Sequence, residues 1–179
     1  MESALAADAG GAERYASQPA HQAQDLIYDA WEATGARRVT LARQALALWP
    51  DCADAYVLLA QETASLGEAR GLLERGVAAG ERALGPRTFA QAGHFWLIFE
   101  TRPYMRARAA LAATLWRLGR REEAVEHQRD LLRLNPRDNQ GLRYRQSNWL
   151  LALECYDELE ELFAAHAGDG NAGRVPVPG

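Results

Sequence analysis

The chain has 179 residues, a length typical of a single domain, and 48% of them are hydrophobic, which is enough to form a core. Its formal net charge is −4, so it lacks the basic surplus typical of nucleic-acid-binding proteins. No apolar stretch reaches the ~18 residues of a membrane helix, and the first residues lack a signal-peptide pattern. We therefore expect a cytoplasmic protein that binds neither nucleic acid nor a membrane.

Few residue patterns in the chain favour catalysis or cofactor binding. The two cysteines, Cys52 and Cys155, belong to no CxxC pair, which indicates reduced thiols. The four histidines lack the spacing of helical metal ligands, and the chain has no GxxxxGK[ST] loop and no GxGxxG loop after a strand. We expect no metal, no cofactor and no enzymatic activity. An enzyme stays an alternative if the fold places a histidine beside either cysteine.

The two ends of the chain differ in composition from its middle. Residues 1–19 are rich in Ala, Gly, Ser and Glu and contain little to bury, so we predict a disordered leader there. Residues 168–179 contain Gly and Pro at a density that breaks regular structure, so we predict a disordered tail. One helical domain is predicted between them, over residues 20–167.

Within this domain apolar residues repeat at spacings of three and four, as at Leu111, Leu115 and Leu118, and no stretch alternates like a strand. Helix-breaking residues divide the chain into segments of about 10–17 residues, the usual length of helices packed as hairpins. These breaks lie at Gly35, Pro50, Gly67, Gly85-Pro86, Gly119, Pro136 and Gly168. The predicted fold is all-α, with about eight helices in antiparallel hairpins.

One stretch of 34 residues, 105–138, has the length and pattern of a two-helix repeat. Gly119 is predicted to end its first helix, and the acidic residues that follow suit the positive N-terminal end of the second. Asn135-Pro136 is predicted to stop that second helix. A further unit follows, with one predicted helix over residues 142–153 and another over Tyr156–His166.

The spacing of the stops predicts an insertion. An earlier stop, Trp49-Pro50-Asp51, places Pro50 86 residues before Pro136, which is 18 residues more than two repeat periods. The excess predicts an irregular insertion at about residues 85–101, where the sequence GPRTFAQAGHFWLIFET is rich in aromatic residues and does not fit the repeat.

The run LGRREEAVEHQRDLLRLNP, residues 118–136, resembles the tetratricopeptide family directly. With CADAYVLLAQE (52–62), EARGLLERGVAAGE (68–81) and residues 100–144, the chain looks like bacterial tetratricopeptide proteins that are distantly similar to the suppression-of-tumorigenicity 7 protein family. This resemblance implies a right-handed superhelix of helical hairpins that acts as an interaction module. It supplies no catalytic residues.

In stacked helical hairpins the first helix of each pair lines a concave groove. Extending the repeat register places one group of polar and aromatic residues on that face, namely Asp54, Gln61, Arg106, Trp116, Arg143 and Ser147. Our hypothesis is that Arg106, Arg143 and Trp116 bind an extended peptide of acidic or C-terminal carboxylate character. The alternative is that these arginines are solvated or paired with Glu62, Glu100 or Asp138.

The segment 93–108, GHFWLIFETRPYMRAR, combines aromatic rings with three arginines. One interpretation makes it a ligand-recognition element, in which Glu100, Arg102 and Tyr104 contact the ligand beside Arg106. The other makes it a plug in which Phe95, Trp96 and Phe99 fill a gap in the core, since large rings rarely stay exposed, while Glu100 pairs with Arg102 or Arg106.

The predicted function is therefore a scaffold or adaptor that binds a protein or peptide segment, possibly an acidic one, in a helical groove. The alternative is a structural protein that associates with copies of itself through exposed repeat ends, for which Trp31, Trp49 and Trp149 are the candidate contacts. Molecular mass in solution separates these two functions.

Overall fold

Eight α-helices and two short 3₁₀ helices account for most of residues 14–167, the part of the chain that the computed structural model describes, and no strand occurs there. The all-α prediction with eight helices is confirmed. The predicted tail and most of the predicted leader lie outside the described residues. The α-helices are α1 (Gln18–Glu32), α2 (Gly35–Leu48), α3 (Ala53–Gln61), α4 (Leu66–Phe89), α5 (Arg102–Arg117), α6 (Arg121–Leu134), α7 (Leu142–Ala152) and α8 (Tyr156–His166).

The helices pack as sequential hairpin pairs: α1 with α2, α3 with α4, α5 with α6, and α7 with α8. The first helices of successive pairs also touch, because α3 contacts both α1 and α5. The predicted antiparallel-hairpin organisation is thus present, and α1, α3 and α5 lie next to one another along one side of the hairpins.

Ordered structure begins before the predicted boundary at Ala20. Ser17 caps α1, and its Oγ accepts a hydrogen bond of 3.3 Å from the amide of Ala20. The ring of Tyr15 packs edge-on against Trp49, with 4.9 Å between ring centroids. The disordered leader was predicted from its Ala- and Ser-rich composition, which indicates neither the helix cap at Ser17 nor the contact of Tyr15 with Trp49.

Gly67 was predicted to break the helical structure, but it lies in the first turn of α4. The break falls just before it, where the Oγ of Ser65 accepts a hydrogen bond of 3.3 Å from the amide of Glu68 and so caps α4. The predicted insertion, about 85–101, begins at a kink where Gly85 has a φ of 68°, and it ends with the 3₁₀ helices Phe95–Leu97 and Phe99–Thr101.

The last two hairpins repeat with a period of 35 residues. Gly119 and Glu154 both have positive φ, 80° and 58°, at the ends of α5 and α7. The residue after each of them donates its amide hydrogen to a leucine carbonyl, Arg120 to Leu115 and Cys155 to Leu150, at 3.0 Å in both cases. Helices α6 and α8 then begin at equivalent positions, Arg121 and Tyr156.

Two glycines of α4 fix where its neighbours cross it. A Cβ on Gly76 would lie 2.9 Å from the Cβ of Tyr56 on α3, and one on Gly80 would lie 2.9 Å from the Cβ of Tyr104 on α5. Because both approaches need a missing side chain, α3 and α5 are held close to the same helix, which places the start of α5 next to α3.

Candidate functional site

A cavity of about 670 Å³ lies between α1, the Phe99–Thr101 3₁₀ helix and the beginning of α5. Large apolar and aromatic side chains form much of its wall, and a few polar and charged groups converge on it. Its lining includes Tyr15, His21, Gln24, Tyr28, Trp31, Phe99, Glu100, Arg102 and Arg106.

A buried ion pair holds Arg106 in the wall of this cavity. The Asp54 side chain is 1% exposed, and its two carboxylate oxygens accept hydrogen bonds from Nε of Arg106 at 2.8 Å and from Nη2 at 2.6 Å. Burial alone would lower the pKa of Arg106, but the hydrogen bonds and the charge of Asp54 outweigh it and raise this pKa. The guanidinium is therefore a permanent, oriented cation that is still 35% exposed.

Asp54 was predicted to contact a ligand, but it is a positioning residue. Its side chain is buried, and both of its carboxylate oxygens accept hydrogen bonds from Arg106. The alternative pairings of Arg106 with Glu62 or Glu100 are also wrong. Glu62 pairs with Arg38 at 3.0 Å, and Glu100 forms no ion pair with another residue of the described segment 14–167.

Arg102 is held between the aromatic rings of the preceding segment. Its guanidinium carbon lies 4.1 Å from the ring centroid of Phe99 and 5.1 Å from that of Trp96, and its Nε donates to the Trp96 carbonyl at 3.1 Å. The Phe99 ring is nevertheless 71% exposed. Together with Tyr28 and Trp31 on α1, it gives the cavity an aromatic rim.

The plug interpretation holds for part of the aromatic segment only. Phe95 is fully buried, with its ring centroid 5.3 Å from that of Phe89 and 6.4 Å from that of Tyr104. Trp96 is half-buried. Phe99 does not fill the core, because it is mostly exposed. The Thr101 hydroxyl lies within hydrogen-bonding distance of the Phe95 and Ile98 carbonyls and can donate its one hydrogen to either of them.

Tyr104, predicted to contact a ligand, lies in the core with 1% of its surface exposed. Its hydroxyl accepts a hydrogen bond of 2.6 Å from Nη1 of Arg108, and burial raises its pKa. Its ring packs edge-on against Phe89, with 5.1 Å between centroids. Tyr104 therefore packs the first turn of α5 into the core and is not accessible to a ligand.

Tyr15 contributes an unsatisfied polar group to the cavity wall. Its hydroxyl is buried and has no hydrogen-bond partner among the described residues. Burial, reinforced by the negative charge of Asp54, raises the pKa of this phenol, so the group is a neutral donor at any physiological pH. A buried donor without an acceptor costs free energy that a ligand acceptor could recover.

The remaining predicted residues lie away from this cavity. Gln61 is exposed and lines a second cavity, of about 320 Å³, together with Thr114 and Arg117. Trp116 stacks on Trp149 of α7, with ring centroids 4.6 Å apart and an interplanar angle of 3°, so it joins two hairpins.

Arg143 and Ser147 belong to the beginning of α7. The Asp138 carboxylate accepts hydrogen bonds from the amides of Leu142 at 2.6 Å and Arg143 at 3.0 Å, and it lies 3.8 Å from Nε of Arg143. The Ser147 hydroxyl donates to the Arg143 carbonyl at 2.8 Å. The alternative pairing of Arg143 with Asp138 is confirmed, and Arg106, Trp116 and Arg143 do not form a single site.

The sequence analysis assigned no residue of α1 to the cavity, and it named Trp31 only as a candidate contact for self-association. The buried stripe of α1 consists of small residues and Ile27, whereas Tyr28 and Trp31 stand off that stripe. Large aromatic residues outside the core-facing side of a helix indicate a binding surface. The sequence analysis used the apolar spacing only to locate helices and did not draw this inference for α1.

The described residues offer little support for catalysis. Burial raises the pKa of the Cys52 thiol to about 12, which disfavours the thiolate that a nucleophile needs. The Cys155 thiol contacts the Leu153 carbonyl at 3.6 Å. Residues 14–167 contain no group of three His, Cys, Asp or Glu side chains able to hold a metal ion, and none of their helices has the length and apolarity to span a membrane.

Comparison with known proteins identifies a family for the chain. The family model described as ST7 protein matches residues 15–164, which includes all the helices from α1 to α7 and most of α8. No curated protein matches the chain.

Proposed function

The chain belongs to the ST7 protein family, and we propose that it is a cytoplasmic scaffold of the tetratricopeptide type that binds a protein segment on the side formed by α1, α3 and α5. Its hairpin order and the 35-residue period of the last two hairpins support this relation, because tetratricopeptide units repeat every 34 residues. The observation that carries the proposed function is the 670 Å³ cavity with its oriented Arg106 and aromatic rim.

The shape of the surface favours an extended peptide over a compact ligand. Along α5, Arg102 and Arg106 line the large cavity, and Ala110, Thr114 and Arg117 line the second one. At 1.5 Å per helical residue these positions cover roughly 22 Å, the reach of about six or seven residues of extended chain.

The charges around the large cavity refine the expected ligand. Two cations, Arg102 and Arg106, are matched by two anions, Asp54 and Glu100, so the cavity does not favour a strongly acidic partner. Arg106 uses one N–H of Nε and one of Nη2 on Asp54, which leaves three N–H donors, two of them on Nη1, for a ligand oxygen. We propose a segment that places one carboxylate or carbonyl oxygen near Arg106 and Tyr15 and inserts an apolar or aromatic side chain between Tyr28 and Phe99.

The test uses peptides selected on the wild-type protein from a random display library, with dissociation constants measured by calorimetry. Tyr28→Ala and Trp31→Ala remove rim rings that are 63% and 36% exposed, so we expect stability to change little and affinity to fall at least tenfold. Arg133→Ala on α6, an exposed arginine away from the cavity, is the matched control and should leave affinity unchanged. Selected peptides that bind all three variants as tightly as the wild type would refute the groove.

A further inference from the structure

The 35-residue period shows how one hairpin of this protein receives the next. In the α5–α6 hairpin, two side chains reach α7: Trp116 stacks on Trp149, and Nε2 of Gln128 donates to the Leu142 carbonyl at 2.8 Å. These two positions therefore define the side of a hairpin on which its successor packs.

The equivalent positions of the α7–α8 hairpin, 35 residues later, are Leu151 and Phe163, and they are 55% and 59% exposed. Seven residues before each of them lies an exposed aromatic residue, Tyr144 at 66% and Tyr156 at 55%. Residues seven apart lie on the same side of a helix. We call these four residues the terminal face. Within residues 14–167 no element packs over it in the way that α7 packs over the preceding hairpin.

The other end of the hairpin stack is polar. On α1 the side chains that face neither the core nor the large cavity include Gln22, Asp25, Asp29 and Glu32, all exposed. End repeats usually carry such a polar outer surface, which keeps stacked helices from associating. The terminal face lacks such a polar surface, and a concentrated group of exposed large apolar side chains marks an interaction site.

We infer that the terminal face binds the terminal face of a second copy of this chain, forming a two-fold dimer. Head-to-tail stacking would place its apolar residues against the acidic side of α1, whereas a two-fold axis places them against one another. The charges fit this geometry, because α7 carries Arg145 and α8 carries Asp157, Glu160 and Glu161, whereas Arg143 is already paired with Asp138 and Glu158 with Arg129. Laying α7 of each copy across α8 of the other pairs opposite charges.

The size of the terminal face is sufficient for a dimer. Four large side chains that are each more than half exposed offer on the order of 500 Å² per copy, or roughly 1,000 Å² for the pair, before any neighbouring polar surface is counted. That is the lower limit for a specific interface. The inference concerns a different surface from the cavity and does not depend on the proposed peptide binding.

The test is the molecular mass of the full chain, measured by sedimentation equilibrium between about 1 and 100 μM, a range that brackets the affinity expected of a small interface. We expect twice 19.8 kDa for the wild type at the upper concentrations and 19.8 kDa throughout for the double variant Leu151→Glu/Phe163→Glu. Both replaced side chains are more than half exposed, so the helical circular dichroism of the variant should match that of the wild type.

The matched control is Phe99→Glu, which places a charge on an even more exposed ring outside the terminal face and should leave the dimer intact. A wild type that stays monomeric at 100 μM, or a double variant that stays dimeric, overturns the inference. Peptide binding by the monomeric variant should equal that of the wild type, which separates this result from any failure of the groove.

Discussion

Three junctions carry the chain from the second helix of one hairpin to the first helix of the next, and two of them, α4–α5 and α6–α7, do so differently. The α6–α7 junction is short, and Asp138 closes it by accepting hydrogen bonds from the first amides of α7. The α4–α5 junction begins at the Gly85 kink and contains two 3₁₀ helices before α5 begins at Arg102. The first is a short repeat connection that the Asp138 carboxylate closes locally.

The longer junction is held by other contacts, and some of its side chains are not needed for them. Phe95 anchors it in the core and Thr101 binds its carbonyls, while Phe99, Glu100 and Arg102 stand at the wall of the large cavity. Where the repeat is regular, side chains serve mainly the packing of one hairpin on the next. Where it is interrupted, the chain places aromatic and charged side chains at the wall of the cavity for which we propose a ligand.

The largest expected effect contrasts the arginine next to each junction. Arg106→Ala leaves the Asp54 carboxylate, 1% exposed, without a partner, and we expect the free energy of unfolding to fall by about 3 kcal/mol. Arg143→Ala leaves Asp138 bonded to two backbone amides, so the loss should stay below about 1 kcal/mol. Urea denaturation of both variants measures the difference. Equal losses would mean that water solvates the Asp54 carboxylate in the variant, and that neither carboxylate depends more than the other on its arginine for stability.

The next effect concerns the helix that positions the long junction. Gly80→Ala places a Cβ 2.9 Å from the Cβ and 3.1 Å from the Cα of Tyr104, so backbone must move, and we expect a loss of about 2 kcal/mol. Gly71→Ala in the same helix meets nothing within 4 Å and should gain about 0.5–1 kcal/mol from helix propensity. Opposite signs in the two denaturation midpoints are the expected outcome. A gain at both positions would show that α5 does not need this close approach.

The regular half of the fold could be predicted from sequence because its signals are local. Gly119 and Asn135-Pro136 end helices where predicted, and α8 spans the predicted residues Tyr156–His166. Gly67 misled the prediction because a nearby serine, Ser65, supplies a cap that starts the helix at Leu66, one residue before this glycine. A glycine within a first turn and a glycine between helices look alike in sequence.

The candidate site could be predicted only in part, since its main contact is not local. Asp54 and Arg106 lie 52 residues apart, and no periodicity links them. The repeat register placed both on one face, but it did not predict that they bind each other or that Asp54 is buried. The prediction that Arg106, Trp116 and Arg143 form one site was wrong. The repeat register predicts which face of a helix a residue lies on, but it does not predict the distance between residues on different helices.

A smaller effect tests whether the two regular hairpins are equivalent. Glu154 occupies at φ 58° the position that Gly119 fills at φ 80°, and a side chain in this conformation is disfavoured. Gly119→Ala should lose about 1 kcal/mol, and Glu154→Gly should gain about 0.5–1 kcal/mol, because part of the relief is offset by the greater freedom of glycine in the unfolded chain. Thermal unfolding of the pair measures both shifts. If neither substitution changes the midpoint, backbone strain does not distinguish the two turns.

The smallest expected effect lies where α5 meets α6, in the regular hairpin beside the long junction. Nδ1 of His127 accepts a hydrogen bond of 3.1 Å from Nε of Arg108, whose Nη2 also binds Asp130 at 2.5 Å. Burial lowers the pKa of His127, and the charge of Arg108 lowers it further. Below the unfolded pKa of about 6.5, the unfolded chain binds a proton that the folded protein takes up less readily. Stability should therefore be complete above that pH and fall as the pH drops through it.

Between pH 7.0 and 5.5 we expect the wild type to lose less than about 1 kcal/mol through this histidine. His127→Gln keeps an acceptor for Arg108 without a titrating group, so its free energy of unfolding should change less over the same range. Urea denaturation at pH 7.0, 6.2 and 5.5 gives the two slopes, and His21→Gln at the large cavity is the control. Parallel slopes for the wild type and His127→Gln would place the pH dependence outside the α5–α6 hairpin. Slopes that are equally steep in the wild type and His21→Gln but shallower in His127→Gln would show that the regular half of the molecule, and not the cavity half, senses mild acid.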